Sequence, residues 1–231
     1  MRLHRFFVKE KIGSGAEVRI TEERIIHQIK NVFRLGSGEG IIIFNGDGTE
    51  KEAEIVRITK DDLVIKIGAE REVRKFSKDI TLYMSVIKKE NFELVSEKAT
   101  ELGVSRIVPL CTERTLLKNL NPERIEKILM EASEQSGRGD VPVLCGSTNL
   151  QDALEKESKE ERKIIICDMD GVSAKDFDFG STLSIFIGPE GGWSEKEKEI
   201  FEKYNTQTIS LGSLTLRAET AAIAALAFAG I

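Results

Sequence analysis

The sequence predicts an α/β protein of two domains: a small β-barrel over residues 1–75 and a mostly parallel sheet covered by helices over residues 76–231. Before residue 75, short β-rich runs alternate with the hairpin signals Asn45-Gly46 and Asp47-Gly48. After residue 78, apolar strands alternate with helical segments of about 10 to 15 residues, the pattern of parallel strands joined by helical crossovers. A chain of 231 residues is long enough to form both domains.

The individual elements follow from the spacing of apolar residues. In the first domain, strands are predicted at residues 6–8, 41–44, 54–58 and 63–67, with one helix at residues 22–33. In the second domain, strands are predicted at residues 81–87, 106–112, 163–168, 183–187 and 207–211. Helices are predicted at residues 91–102, 122–136, 150–158, 194–204 and 217–229. The polar residues 73–78 are the predicted linker.

Composition excludes several classes of protein. Hydrophobic residues at 40% and charged residues at 32% are typical of a soluble globular protein, not a disordered one. The longest apolar stretch, residues 221–229, is too short to span a bilayer, and the basic start is followed by no apolar run, so a cytoplasmic protein is expected. Three widely spaced cysteines without a CxxC pair indicate buried free thiols; neither a disulfide framework nor a metal site is expected.

Charge is distributed unevenly along the chain. The net charge of -5 argues mildly against a nucleic-acid partner. Residues 1–34, however, hold eight Arg or Lys against four Glu, whereas residues 76–231 hold 19 basic against 26 acidic residues. A basic front end on an acidic body indicates a first domain that contacts phosphates, although an ordinary solvated surface is the alternative.

A glycine-rich turn joins a predicted strand to a helix at residues 188–193. Gly188 and the Gly191-Gly192 pair allow a backbone to approach a ligand closely. Ser194 and Glu197 fit a capping box that begins the helix. The turn matches neither phosphate-binding glycine motif, and Glu190 is poorly suited to holding phosphate. S-adenosylmethionine, which has a sulfonium and no phosphate, fits this chemistry; the alternative is a plain strand-to-helix turn.

A second candidate segment covers residues 209–222, where a strand ends near Gly212 and an alanine-rich helix begins near Arg217. Three side chains are predicted to form an apolar slot for an adenine ring: Leu211, Leu214 and Leu216. A plain buried terminal helix explains the alanines equally well. It does not explain why Arg217 and Glu219 lie at the mouth of the same sheet.

A third candidate segment ends the helix at residues 122–136. Gly137 is a natural C-terminal cap, which would project Arg138 beyond the helix. There the guanidinium can satisfy the last carbonyls of the helix. It can also orient a phosphate or stabilise a developing anion, and the spacing alone leaves both roles open.

Together these segments resemble the knotted SPOUT superfamily of RNA methyltransferases and, within it, the bacterial 16S rRNA uridine-N3 methyltransferase family. Matching motifs occur in the family's order at residues 4–7, 27 with 32–34, 89–103, 134–138, 188–192 and 216–220. The resemblance implies a PUA-like β-barrel followed by a trefoil-knotted methyltransferase domain that dimerises. One departure is Leu214, where the family commonly has Arg, so one contact with RNA or with the cofactor's carboxylate is missing or made elsewhere.

The resemblance also implies roles for individual residues. Those expected to bind S-adenosylmethionine are Cys167, Ile187, Gly188, Pro189, Glu190, Gly191, Gly192, Leu211, Gly212, Leu214 and Leu216. The catalytic candidates, in order, are Arg138, Glu219 and Arg217. Those expected to hold RNA are His4, Arg5, Lys9 and Arg34.

The implied reaction constrains the substrate. N3 of uracil lies on the Watson–Crick edge, so the base must be unpaired or swung out, and its proton must leave. The expected partners are therefore 16S rRNA within the 30S subunit and a second copy of the chain, without a metal. Two alternatives stay open: a knotted methyltransferase for a ribose 2′-hydroxyl or another base, and an RNA-binding ribosome-assembly factor that keeps the cofactor pocket as a relic.

Overall fold

The structure, a computed structural model, describes residues 3–9, 12–13, 17–73, 76–115 and 119–230. It comprises two compact units. The first unit is Met1–Lys75 with Ser133–Val141, and the second unit is Phe76–Ala132 with Pro142–Ile231. Part of the predicted linker, residues 74 and 75, lies outside the described residues.

The first unit is built on a five-stranded mixed sheet in the order β1-β3-β4-β5-β2. Its strands are β1 (Arg5–Phe7), β2 (Glu17–Ile20), β3 (Gly40–Phe44), β4 (Glu50–Ile58) and β5 (Leu63–Arg71). β1 pairs with β3 in parallel, and the other pairs are antiparallel. Within the described residues the two outer strands, β1 and β2, do not pair with each other, so the predicted small barrel is a half-barrel.

The helical segment of the first unit covers one side of this sheet. The predicted helix at residues 22–33 is confirmed as helical, but in two parts: α1 (Glu23–His27) and a π-helix at Gln28–Val32. Ile25, Ile26 and Ile29 are buried in the core of the sheet, as their helical spacing predicted. Hydrophobic burial therefore fixes this segment on the sheet.

Strand β4 begins at Glu50, four residues before the predicted start. The prediction began too late because residues 50–54 are mostly charged, a composition uncommon in strands. Glu50 and Lys51 are nevertheless buried. Arg5 binds both carboxylate oxygens of Glu50, and Lys51 Nζ donates to the Ile12 carbonyl at 3.1 Å. These partners satisfy the charged groups that the sheet buries.

The second unit contains a seven-stranded sheet in which every pair is parallel, in the order β12-β10-β11-β6-β7-β8, with β9 also on β7. The strands are β6 (Asp79–Ser85), β7 (Arg106–Cys111), β8 (Val143–Leu144), β9 (Thr148–Asn149), β10 (Lys163–Ser173), β11 (Thr182–Ile187) and β12 (Thr206–Ser210). The further α-helices in the described residues are α2 (Lys89–Glu101), α3 (Pro122–Ser136), α4 (Leu150–Lys159), α5 (Glu195–Phe201) and α6 (Ala218–Gly230), and Ala174–Asp176 form a short 3-10 helix. The predicted parallel α/β sheet is confirmed, whereas the trefoil knot stays a prediction.

Strand β10 continues five residues beyond its predicted end at residue 168. Its register against β12 shifts between Cys167 and Val172. At Gly171 the backbone passes so close to Ile209 that a Cβ atom there would lie 2.4 Å from the Ile209 carbonyl carbon. Only glycine allows this approach, so the extension of β10 depends on a residue that strand propensity disfavours.

A buried polar network joins β6, β11 and α4 of the second unit. Glu157 accepts a hydrogen bond from the Tyr83 hydroxyl at 2.7 Å and a further one from Ser184. Arg162 Nε lies 3.1 Å from Glu157 Oε2, and Arg162 Nη1 lies 2.6 Å from Asp79 Oδ2. Burial and the bond to Glu157 raise the pKa of Tyr83, so its hydroxyl stays a donor. The network therefore holds two opposite charges, on Glu157 and Arg162, inside the unit.

No helix in the described part of the chain is both long enough and apolar enough to cross a lipid bilayer.

Candidate active site

A cavity of about 440 Å³ opens in the second unit, beside the carboxyl ends of the paired segments of β11, β10 and β12. Cys167 of β10 and Ile187 of β11 are the last partners in their register, and both line the cavity. Ligands of open parallel sheets bind at these ends of the strands, and the volume suits a small molecule. The residues between the end of β12 and the start of α6 form the third wall of the cavity, beside those formed by β10 and β11.

The structure gathers ten of the eleven residues predicted to bind the cofactor around this cavity: Cys167, Ile187, Gly188, Pro189, Glu190, Gly192, Leu211, Gly212, Leu214 and Leu216. Gly191 is the exception. Its carbonyl oxygen accepts a hydrogen bond of 2.5 Å from Arg114 Nη1. The cofactor role of these residues stays a prediction.

Two positions of the glycine-rich turn after β11 favour glycine, one because of close packing and one because of its backbone angle. A Cβ atom at Gly188 would lie 3.1 Å from the Trp193 ring, and Gly192 has the left-handed φ of +68° that glycine favours. The capping box is confirmed: Ser194 Oγ accepts from the Glu197 amide at 3.2 Å, and Glu197 Oε2 accepts from the Ser194 amide at 2.8 Å. The cap fixes where α5 begins and so fixes the end of the turn.

The turn is also held from outside by residues that the sequence did not single out. Arg114, after β7, donates from Nη1 to the carbonyls of Gly191 at 2.5 Å and Trp193 at 3.2 Å. Glu197 Oε1 accepts from the Glu113 amide at 2.9 Å. Glu113 and Arg114 lie in a polar loop with no recognisable motif, so no pattern in the sequence indicated that they support this turn.

Trp193 forms part of the cavity wall. Its Nε1 donates to the Cys167 carbonyl at 3.1 Å, and its ring packs edge-to-face on Phe201 with 5.0 Å between centroids. It is the single tryptophan of the chain. Its fluorescence is therefore a direct reporter of ligand binding in the cavity.

Four charged side chains line the cavity among otherwise mostly apolar residues: Asp168, Glu190, Lys198 and Arg217. Lys198 Nζ lies 3.7 Å from Asp168 Oδ2. Two carboxylates and two cations can bind a ligand that carries charges of both signs, whereas a polyphosphate would require a surplus of cations. Within the described residues no group of three His, Cys, Asp or Glu side chains is placed to hold a metal ion.

The catalytic candidates occupy different parts of the structure. Arg217 is exposed and lines the cavity, immediately before α6. Glu219 lies in the first turn of α6 and is only 8% exposed. Its buried Oε2 atom has no hydrogen-bond partner among the described residues. A buried carboxylate oxygen without a hydrogen-bond partner is costly to a fold, which makes Glu219 a candidate for a chemical role.

Arg138 belongs to the first unit and is buried. Its Nε lies 3.1 Å from Asp140 Oδ1, and its Nη2 lies 2.7 Å from Asp140 Oδ2. The predicted cap at Gly137 is confirmed, because this residue has a φ of +90° and donates to the Ser133 carbonyl at 3.2 Å. The cap and the bidentate ion pair hold the guanidinium in one orientation.

The four predicted RNA-binding residues differ in what their side chains contact. Arg5 binds Glu50, donates to the Arg138 carbonyl at 2.8 Å, and lies over the Phe44 ring, so its geometry favours a structural role. Lys9 and Arg34 are exposed, and neither has a carboxylate partner among the residues that the structure describes. His4 is half-buried against an aromatic neighbour. Binding of RNA by these residues stays a prediction.

The Cys167 thiol is expected to resist alkylation. Burial, assisted by the Asp168 carboxylate, raises its pKa from 9.0 to about 12, so at pH 8 its thiolate fraction is about a thousandfold below that of an ordinary thiol. Labelling with iodoacetamide, followed by peptide mass spectrometry, should modify the exposed Cys111 first. Equal rates at Cys111 and Cys167 in the folded protein would contradict this expectation, and labelling in urea provides the unprotected reference.

Two family models match the chain. The model described as an RNA methyltransferase domain matches residues 74–230, and the model described as an RNA methyltransferase PUA domain matches residues 20–68.

Individual relatives match over nearly the whole chain. The ribosomal RNA small subunit methyltransferase E of Rickettsia conorii is 32% identical, over 98% of this chain and 95% of its own. The protein of the same name from Bacillus subtilis is 29% identical, over 97% and 94%. The crystal structure of a Neisseria gonorrhoeae ribosomal RNA small subunit methyltransferase E bound to S-adenosylmethionine has a TM-score of 0.90 at 28% identity, covering 98% of this chain and 96% of that one. A Legionella pneumophila methyltransferase, also with S-adenosylmethionine bound, has a TM-score of 0.88 at 31% identity over 98% and 96%.

Proposed function

The chain belongs to the RNA methyltransferase family that includes the ribosomal RNA small subunit methyltransferases E, and from this premise we propose that it methylates N3 of a uridine in 16S rRNA. The proposed methyl donor is S-adenosylmethionine. The main support within the structure is the cavity beside the ends of β11, β10 and β12, where ten residues predicted for this cofactor lie together.

The chemistry of the cavity fits this cofactor. Apolar surface for an adenine ring is provided by Leu211, by Leu216 and by the part of Leu214 that lines the cavity. Asp168 and Glu190 complement an ammonium and a sulfonium. When bound, the cofactor supplies an electrophilic methyl group on its sulfonium.

The residues of this chain would contribute to the reaction in three ways. Glu219 would accept the N3 proton of the uracil, because it is a buried carboxylate whose Oε2 makes no hydrogen bond to the described residues. Arg138 and Arg217 would stabilise the negative charge that develops on the uracil. The cavity would hold the reacting atoms in line, an effect that can contribute about 7 to 11 kcal/mol. The uridine must be unpaired or swung out for its N3 to be reached.

We also propose that the chain acts as a homodimer on 16S rRNA within the 30S subunit, in the cytoplasm. Helix α6 supports a second copy, because it carries no polar side chain after Thr220 and several of its side chains, including Ile223 and Phe228, are only half-buried. The excess of Arg and Lys over Glu in residues 1–34 supports the assembled subunit as substrate, because these cations can bind phosphates that only assembly brings together.

The test is to incubate the protein with labelled S-adenosylmethionine and undermethylated 30S subunits, and to identify the methylated nucleoside by digestion and mass spectrometry. N3-methyluridine at one position is the expected product. A 2′-O-methylated nucleoside would overturn the proposed acceptor while leaving the family unchanged. Absence of transfer, with binding of the cofactor seen by Trp193 fluorescence, would favour a non-catalytic assembly factor.

Arg138→Ala is expected to slow methyl transfer by about 10²- to 10³-fold, the typical loss when one donor to a developing anion is removed. Transfer should be measured under saturating cofactor, with thermal unfolding recorded for each variant. Arg138→Lys keeps the charge but not the planar fork, so it should recover only part of the rate. If Arg138 serves only to bind Asp140, the alanine variant will lose stability while its rate per folded molecule stays at the wild-type value.

A further inference from the structure

Five consecutive residues at positions 30–34 are exposed on the surface of the first unit: Lys30, Asn31, Val32, Phe33 and Arg34. The segment is fixed at both ends, because Ile29 is buried and Leu35 packs against the same core. The Leu35 amide also donates to the Ile29 carbonyl at 2.9 Å. Val32 and Phe33 nevertheless stay 58% and 38% exposed. The exposed ring of Phe33 on an anchored segment indicates a contact surface.

The ring of Phe33 is held in place by two other aromatic rings. Its centroid lies 4.0 Å from that of His4, with 36° between the planes, and 5.7 Å from that of Phe6 in an edge-to-face contact. A ring supported in this way loses little conformational freedom when something stacks on its exposed surface. The geometry is therefore that of a prepared aromatic platform.

The backbone of the segment is unusual in two respects. Residues 28–32 form a π-helix, which closes with a hydrogen bond of 2.9 Å from the Phe33 amide to the Gln28 carbonyl. Arg34 then adopts the left-handed region with a φ of +57°, where a side chain carries a steric cost that glycine avoids. π-helical turns and strained residues of this kind concentrate at functional sites. Here they set the direction of Phe33 and Arg34.

Two unneutralised cations flank the platform. Lys30 and Arg34 are exposed, and neither lies within 4 Å of a carboxylate in the described part of the chain, whereas Arg5 and Arg24 of the same unit are both in ion pairs. An exposed aromatic face between free cations matches a nucleic-acid single strand, whose bases stack and whose phosphates are negative. A second copy fits less well, because a symmetric contact would bring like charges together.

We propose that Phe33, supported by His4, is a stacking platform for an unpaired base of the RNA, and that Lys30 and Arg34 contact the phosphates beside that base. The identity of the ligand as RNA rests on the proposed function. The assignment of stacking to Phe33 rests on its ring geometry, its exposure and the flanking charges.

Binding to a fluorescein-labelled single-stranded uridine decamer, measured by fluorescence anisotropy, tests the proposal. Phe33→Ala should weaken binding by roughly 5- to 150-fold, the loss typical of removing one base-stacking ring. Val32→Ala is the matched control, since it truncates the neighbouring exposed apolar side chain, which has no aromatic face, and should bind within about twofold of wild type. Phe33→Trp keeps the platform and should show quenched tryptophan emission on binding, beyond any change at Trp193 in the wild type.

Equal affinities of the Phe33→Ala and Val32→Ala variants, or no added quenching in Phe33→Trp, would overturn the proposal. An equal loss of RNA affinity in both alanine variants, together with a shift toward monomers in sedimentation, would also overturn the proposal. It would assign residues 30–34 to the contact with a second copy of the chain. The assay needs no methyl transfer, so it is separate from the proposed function. If the wild type transfers methyl groups and Phe33→Ala binds the RNA as tightly as the wild type, only the stacking proposal is refuted. If the wild type transfers no methyl group and Phe33→Ala binds the RNA weakly, only the proposed activity is refuted.

Discussion

Replacing Glu219 by Gln is expected to slow methyl transfer by about 10²- to 10⁴-fold while leaving the fold at least as stable as the wild type. The amide keeps the shape of the side chain but cannot accept the N3 proton. Glu219 is only 8% exposed, and its Oε2 has no hydrogen-bond partner in the described part of the chain. Removing a buried charge that lacks a partner costs a fold nothing and commonly stabilises it.

Single-turnover transfer from labelled S-adenosylmethionine measures the rate, and Trp193 fluorescence measures cofactor affinity separately. Glu199→Gln is the matched control, because Glu199 is an exposed carboxylate on α5 and the substitution is the same. We expect the control to keep its rate and the Glu219→Gln variant to keep its cofactor affinity. A Glu219→Gln variant that unfolds at lower temperature and transfers at the wild-type rate would show that the carboxylate serves the fold and not the reaction.

Replacing Glu157 by Ala is expected to destabilise the second unit by about 3 to 5 kcal/mol, because it breaks a buried ion pair from one side. Arg162 would lose its 3.1 Å partner inside the unit, and the Tyr83 hydroxyl would lose its 2.7 Å acceptor. For a chain of this size, such a loss lowers Tm by roughly 6 to 20 °C. Thermal unfolding followed by circular dichroism is the measurement.

The control for this prediction removes both charges at once. A Glu157→Leu, Arg162→Met double variant fills similar volume with apolar groups, so its Tm should recover a large part of the loss. Glu155→Ala truncates an exposed glutamate on the same helix, whose ion pair with Lys159 lies at the surface, and should lower Tm little. A double variant that is less stable than Glu157→Ala would show that the hydrogen bonds of the polar network, and not the charge that Arg162 keeps without Glu157, determine the stability of the unit.

The parts of this protein that could be predicted from sequence are those that depend on local patterns. The strand, glycine turn and capping box around Gly188 and Ser194 are all specified within about ten consecutive residues, which is why the turn and the start of α5 were predicted correctly. The cap at Gly137 was predicted for the same reason. The grouping of predicted cofactor residues around one cavity follows because parallel strands bring their carboxyl ends to one edge.

The parts that were missed depend on contacts between distant segments. Arg114 supports the glycine-rich turn 77 positions away in sequence, and Arg5 allows the charged start of β4 to be buried 45 positions away. Neither partner can be identified from local spacing. The break of the helix at residues 28–32 into a π-helix is equally invisible, because its apolar residues keep the spacing of an ordinary α-helix. The extension of β10 depends on Gly171 fitting against Ile209, which only the packed sheet reveals.

The cavity beside the ends of β11, β10 and β12 is lined by residues between 167 and 221, whereas the first unit is complete in sequence by Val141. On a translating ribosome, which adds roughly 5 to 20 residues per second, about 80 further residues take roughly 4 to 16 s. During that interval the nascent chain already contains the five-stranded sheet of the first unit but lacks the residues that line the cavity. A product that stops before Leu211 would therefore carry the proposed RNA-binding surface without the third wall of the cavity, and such a fragment would occupy an rRNA site without modifying it.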